Sequence, residues 1–311
     1  MLNNATTGRP AELRLPDATS MGQVALDVGD LDLMTAFYRD VLLLDQVGQG
    51  TDFTELGRDG QTLVTLRHRP GLPRGERRSA GLYHTALLHP DAAGLATVVA
   101  SVAINAPQLY TGSADHLVSQ AFYLDDPEGN GVELYIDRPR DQWNWDGDQI
   151  QMGSRYLDPQ AFLGQHLSDA GRDLLETAPG NRGALAGVGA QVVGHVHLRV
   201  GNTAQAKDFY VDTLGFDVTA EFPGALFVSA GGYHHHMAMN TWESEGVGLR
   251  APSRGLGLLT VKVPTYADLR MAAERVARNN VDVREGGPDS SGKILELLDP
   301  WGNTVRILSA A

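Results

Sequence analysis

The stretch Gly112–Tyr135, GSADHLVSQAFYLDDPEGNGVELY, sets a histidine, His116, ahead of an apolar run and a carboxylate, Glu133, inside another. The first run, Val118–Leu124, is rich in β-favouring residues. Asp126-Pro127-Glu128-Gly129-Asn130 then reads as a tight turn, because Pro fixes φ while Gly and Asn tolerate positive φ. Val132-Glu133-Leu134-Tyr135-Ile136 reads as a second strand, with Glu133 alternating against apolar neighbours. A hairpin of this kind brings the histidine and the carboxylate onto neighbouring strands. A carboxylate on a largely apolar strand is costly to bury unless something positive meets it, and a metal ion is one such partner. The chain contains no cysteine, so disulfides, thiolate ligands and a cysteine nucleophile are excluded. Any metal would sit on His, Asp, Glu or water.

At 311 residues the chain can bury a large core and is long enough for two domains. A formal net charge of −13 argues against a nucleic-acid partner, which calls for a basic surface, and against an anionic membrane surface. No run reaches transmembrane length, and the first 20 residues are polar without an apolar signal core, so a cytoplasmic protein is expected.

The elements that position these residues recur. Phe37-Tyr38-Arg39-Asp40-Val41-Leu42 returns as Phe209-Tyr210-Val211-Asp212-Thr213-Leu214, at an offset of 172. Asp126-Pro127-Glu128-Gly129-Asn130 returns as Asp299-Pro300-Trp301-Gly302-Asn303 at 173, and Gly22 returns as Gly194 at 172. Markers at both ends of a segment with nearly one offset indicate a tandem duplication. Each half divides again. Unit one reads as a strand near Met21–Val28, a helix near Leu31–Leu43 and strands near Phe53–Leu56 and Thr62–Arg67. Unit two reads as a strand at Tyr83–Leu88, a helix at Ala92–Ala103 and the hairpin above. Unit three has a strand at His195–Val200, a helix at Ala204–Leu214 and strands near Val218–Glu221, Leu226–Ala230 and His235–Asn240. Unit four has Leu258–Val263, a helix over Tyr266–Asn279 and strands ending in Val305-Arg306-Ile307. Asp30 and Asn202 are expected helix N-caps. The expected organisation is a polar tail (1–20), a two-unit N-terminal domain (21–140), a connector (141–190) and a two-unit C-terminal domain (191–311). The connector region is expected to hold a helix across Pro159–Thr177 and a flexible Gly-rich join at Gly180–Gly189. Four strand–helix–strands units make an α+β protein with helices outside curved sheets.

Five motifs together resemble the vicinal oxygen chelate superfamily, which includes glyoxalases, bleomycin-resistance proteins and extradiol dioxygenases. They are Gly81-Leu82-Tyr83-His84, Ala114-Asp115-His116 through Glu133-Leu134-Tyr135, Asp137-Arg138-Pro139-Arg140, Gly194-His195-Val196-His197-Leu198 and Ser229–His236. The resemblance is closer to the CatE-like catechol 2,3-dioxygenases. It implies four βαβββ units forming two cupped mixed sheets, with a metal inside a cup and its ligands on the first or last strand of a unit. At such positions unit two offers His84 and Glu133, and unit three offers His195 and the run His234-His235-His236. Unit one offers Gln23, and unit four Leu258 and Arg306, the last at the repeat position of Glu133. Two arrangements are open. Units two and three face one another and build one active cup, or unit one pairs with two and three with four, leaving two incomplete sites.

The resemblance implies His84, Glu133 and His195 as metal ligands, with His197 a rival to His195 of the same strand parity. Two imidazoles and one carboxylate form a facial triad suited to Fe(II), with Mn(II) also admissible. The implied partners are an aromatic diol and O2, with no nucleic acid or membrane; a homo-oligomer is possible. His116 matches a family acid/base residue and has the pKa range for that work. Tyr123 matches a tyrosine that donates to substrate, and His236 is expected as a second acid/base or an extra ligand. Arg306 is expected in a structural ion pair, and Trp143 and Trp145 cap the cup or pack. Competing readings are a glyoxalase-like isomerase, which normally takes two carboxylate ligands, and a metal-free binding protein that sequesters an apolar drug.

Overall fold

The computed structural model describes residues 9–177, 188–283 and 294–310. Unit one comprises β1 (Ser20–Val28), α1 (Leu31–Ala36, wound on as a π-turn over Phe37–Val41), β2 (Asp45–Gln49), β3 (Phe53–Arg58) and β4 (Gln61–His68). Unit two comprises β5 (Gly81–Leu88), α2 (Ala92–Asn105), β6 (Tyr110–Asp115), β7 (Ser119–Asp125) and β8 (Gly131–Asp137). A short hairpin, β9 (Trp145–Asp146) and β10 (Gln149–Ile150), and two helices, α3 (Pro159–His166) and α4 (Asp169–Glu176), follow. Unit three comprises β11 (Val192–Arg199), α5 (Thr203–Lys207, continuing as a π-turn over Asp208–Thr213), β12 (Asp217–Phe222), β13 (Ala225–Ser229) and β14 (Met237–Asn240). Unit four comprises β15 (Gly255–Val263), α6 (Tyr266–Arg278), β16 (Ile294–Leu298) and β17 (Thr304–Ser309).

The strand orders decide how the units pair. One sheet runs β12-β13-β14-β11-β5-β8-β7-β6, which is unit three joined to unit two. The other runs β16-β17-β15-β1-β4-β3-β2, which is unit four joined to unit one. Each junction is antiparallel between first strands, β5 with β11 and β1 with β15. The fold is therefore α+β with two curved mixed sheets and helices outside, and the middle two units share one sheet.

The repeated sequence markers meet in space. The Tyr38 hydroxyl donates to Asp126 Oδ2 at 3.1 Å, tying the helix of unit one to the turn of unit two. Tyr210 repeats the contact with Asp299 Oδ2 at 2.9 Å, tying unit three to unit four. Both bonds are buried and both bridge the two sheets. The repeated glycine also has a reason. A Cβ at Gly194 would stand 1.8 Å from the Tyr135 hydroxyl, and one at Gly22 would stand 2.8 Å from Thr260.

Capping follows the sequence: Asp30 accepts from Leu33 N and Asn202 from Gln205 N. The helix expected across Pro159–Thr177 is instead two. Leu167 is extended, and Ser168 turns its hydroxyl onto Gly171 N to start α4 afresh, a local bond that competes with helix continuation. Most of the Gly180–Gly189 stretch lies outside the described residues. Within the N-terminal tail, Leu15 is buried with its N–H on Gly215 O, and Arg14 pairs with Asp217. This segment thus lies against unit three.

Candidate metal centre

Strand register places the expected ligands. Ala86 on β5 lies opposite Glu133 on β8 and opposite His195 on β11. Side chains directly across neighbouring strands share a face, and so do residues two apart on one strand. His84 therefore joins Glu133 and His195 around the small Ala86 side chain. One ligand atom from each of the three lies within 4.8 Å of the others, and all three residues are buried. The His84 and His195 ring centroids are 5.5 Å apart.

The contacts show what the cluster lacks. His195 Nε2 lies 3.0 Å from Glu133 Oε2 in hydrogen-bond geometry. His84 Nε2 comes to 2.9 Å from the same oxygen, yet among the described residues this buried nitrogen has no hydrogen-bond partner. A divalent cation between the three groups would satisfy that nitrogen and the carboxylate together. Burial alone would push the Glu133 carboxyl up; the flanking His195 and His84 outweigh it and hold it well below the usual range. Burial lowers His195 to about 4 despite the neighbouring carboxylate. Burial, joined by neighbouring imidazoles, also lowers His197 and His235 well below the ordinary value. Neutral imidazole and ionised carboxylate are the forms that bind a metal. The donor set of two imidazoles and one carboxylate thus fits the implied divalent ion.

The remaining expected residues divide. Tyr123 lies opposite Glu133 across the β7–β8 pair, so it shares the ligand face. Its hydroxyl is 2.7 Å from His116 Nε2, while His116 Nδ1 is 2.8 Å from the Gly153 carbonyl. A carbonyl only accepts, so Nδ1 carries the proton, and in the neutral ring Nε2 accepts from Tyr123. Burial first, then the Glu133 carboxylate, raises the Tyr123 pKa well above its ordinary value. His116 thus reaches the face that carries Glu133 through the Tyr123 hydroxyl.

His236 is not brought to the centre. Its ring contacts are Phe216 and Tyr233, and its Nδ1 accepts from Ala230 N at 3.2 Å. His235 stands beside the ligands instead, its ring centroid 4.1 Å from that of His195. The parity expected for a strand from His235 fails because β14 begins only at Met237. Gly231 and Gly232 both take positive φ, and the chain through the histidines is irregular. That Gly-Gly pair is the sequence signal that alternation should not be extended back through them.

Two further features were not expected. His234 Nε2 lies 2.8 Å from Asp137 Oδ1, and His234 Nδ1 lies 2.8 Å from His235 Nδ1. The carboxylate places the His234 proton on Nε2, so with both rings neutral His235 Nδ1–H donates and its Nε2 keeps a lone pair. His197 packs edge-on to His84 at 4.9 Å, with Nε2 held by Asn240 at 2.9 Å. Around it, Tyr83, Phe227 and Trp242 form an aromatic rim, the half-exposed Trp242 5.6 Å from both Tyr83 and His197. Trp143 is buried against Tyr233 and His234 and so packs behind the site. Arg306 makes the expected ion pair, with Glu296 at 2.9 Å, in the other sheet.

Comparison with known proteins agrees with this architecture. The family described as Glyoxalase/Bleomycin resistance protein/Dioxygenase superfamily matches residues 192–307. A Bacillus subtilis (strain 168) protein named catechol-2,3-dioxygenase is 35% identical over 279 residues, covering 86% of this chain and 90% of that protein. Among solved structures, glyoxalase I from Zea mays superposes with a TM-score of 0.55 at 15% identity, covering 94% of this chain and 92% of that one. The cppA protein from Streptococcus pneumoniae gives 0.54 at 11%, covering 93% and 100%. At such identities these structures speak to the fold alone. With its paired units, its curved sheets and a relative this similar along most of its length, the chain belongs to the glyoxalase/bleomycin resistance protein/dioxygenase superfamily.

Proposed function

We propose that the protein is an Fe(II)-dependent extradiol-type dioxygenase that cleaves a catechol-like aromatic with O2. His84, His195 and Glu133 would hold the metal. The observation that carries this reading is the buried two-histidine, one-carboxylate cluster, with His235 on one side and the Tyr123–His116 pair on the other. The name of the Bacillus subtilis relative supports it. A glyoxalase-like site would normally need a second carboxylate, and among the described residues the cluster contains one. Mn(II) suits the same donors.

When bound, the metal supplies Lewis acidity and an electron path between ring and dioxygen, holding both at one point. The protein's own groups do the rest. His235, with Nδ1–H given to His234, presents Nε2 as a base for a diol proton. Tyr123 keeps its proton because its pKa is raised, and can donate it to a substrate oxygen beside Glu133. His116 Nε2, which accepts from the Tyr123 hydroxyl, can take up a proton passed on through that hydroxyl from the substrate. The aromatic rim of Tyr83, His197, Phe227 and Trp242 suits a planar ring.

The test is turnover by iron-loaded protein against a panel of catechols, following oxygen uptake and the yellow ring-fission product together. Uptake and colour in equal amounts are expected. Full iron loading with neither, for any catechol tried, would contradict the proposal.

A further inference from the structure

The sheet of units one and four forms a second cup with the same register and different side chains. In the first cup Glu133 lies opposite Ala86 and Tyr123; in the second Arg306 lies opposite Thr260 and Glu296. His197 pairs with His84 in one, and Ala25 with Leu258 in the other. Even the irregularity is shared. Both central strand pairs break register one step further on, at Leu82 and at Leu256. The skipped residue is Tyr83 in the first cup, where its ring packs on His84 and His197. In the second it is Gly257, whose missing side chain makes room for the Arg67 guanidinium; a Cβ there would stand 1.9 Å from Arg67 Nη2.

Beside it lies a cavity of about 340 Å³ whose lining includes Asp27, Arg67, Arg250, Gly257, Glu296 and Arg306. Three guanidiniums face two carboxylates, in a chain whose net charge is −13. Their hydrogen-bonding capacity is far from used. Among the described residues, Arg67 commits only Nε, to Asp27 at 2.8 Å. Arg306 commits Nε and Nη2 to a single oxygen of Glu296. Arg250 gives Nη2 to the Leu256 carbonyl and has no carboxylate of the described residues within ion-pair distance. Burial pulls its pKa down, against the pull of Asp299 and Asp27. A half-buried guanidinium with free N–H groups at a cavity wall is a ready donor to a planar oxyanion, and several such forks together favour bidentate contact.

We propose that this second cup binds a small oxyanion, a carboxylate or a phosphate, through Arg67, Arg250 and Arg306. Where the first cup has His195, His84 and Glu133, the second has Gln23, Leu258 and Arg306 and a cationic lining. The site is independent of the reading given to the metal centre.

Calorimetric titration of the iron-loaded chain at low salt, with inorganic phosphate and separately with succinate, tests it. Saturable binding of one anion per chain is expected for at least one probe, and the preferred probe tells phosphate from carboxylate chemistry. Arg250→Gln should weaken that binding at least tenfold with iron content unchanged. Glu296→Gln, which frees Arg306 and removes a negative charge, should tighten it several-fold and decides the matter should Arg250→Gln fail to fold. No saturable binding of either probe overturns the proposal. So does an affinity that neither substitution changes, because the anion would then sit elsewhere, the metal centre included.

Discussion

In the sheet of units two and three, Ala86 stands between Glu133 and His195 with His84 two residues away. In the sheet of units one and four, the matching positions hold Thr260, Arg306, Gln23 and Leu258. The backbone ladders are alike down to the bulge beside the central strand pair. The contrast shows how little of this fold is the site. A scaffold that presents three converging side chains presents them in both cups, and a handful of substitutions decides whether the centre gathers a cation or supplies one. Arg306 at the place of Glu133 puts a fixed positive charge, met by Glu296, where the other cup gathers two imidazoles and a carboxylate.

The largest effect should come from the first cup's proposed ligands. His195→Ala is expected to cut turnover by more than ~10³ with loss of metal, since the reaction is assigned to the bound ion. Metal analysis and oxygen uptake on one sample check both halves of the statement. Ala86→Leu should come close to it without altering any ligand, because the new side chain fills the space between them; Thr260→Leu, its counterpart, should leave iron and turnover as they were. His116→Gln and His235→Asn should retain iron while slowing turnover by about 10²-fold, the ordinary scale for a positioned acid or base. Lost iron in either variant would make that histidine a ligand instead.

Smaller effects test the shared frame. Tyr38→Phe and Tyr210→Phe should each cost about 1.5–3 kcal/mol of stability, the value of a bond to a charged group, and by similar amounts. Denaturant melts that differ widely between the two would mean that the repeat is not energetically equivalent. The last is a pH effect confined to the acid range. His89 is buried and lowered to about 3, by burial first and then by the nearby Arg58 cation, whereas the matching position of the other sheet is Val263. The folded state binds fewer protons there than the unfolded chain, whose histidine titrates near 6.5. Stability is therefore lost as pH falls from about 6.5 toward 3, by up to about 1.4 kcal/mol per pH unit. His89→Val should flatten that acid limb; an unchanged slope in melts across this range would count against it.

Much of this architecture is legible in the sequence. Two markers at nearly one offset exposed the duplication, and the Tyr38–Asp126 and Tyr210–Asp299 bonds now explain why those markers persist together. The concentration of His84, Glu133 and His195 in the middle units pointed to their sharing a sheet, yet periodicity could not choose between the two pairings. Pairing is a long-range property that each unit's own pattern leaves open. The residues misjudged lie where local regularity fails. His235 rather than His236 reaches the ligands because Gly231-Gly232 breaks the strand. One helix became two because Ser168 preferred to cap. The Asp137–His234–His235 chain joins residues almost 100 positions apart, and no spacing rule could reveal it.

The most direct test is the number of iron ions per chain after anaerobic loading, measured for the native protein, Glu133→Gln and Arg306→Gln. One ion in the native protein, none in Glu133→Gln and one still in Arg306→Gln is the predicted pattern. Two ions per chain, or iron that survives Glu133→Gln, would contradict a single centre built by the middle units.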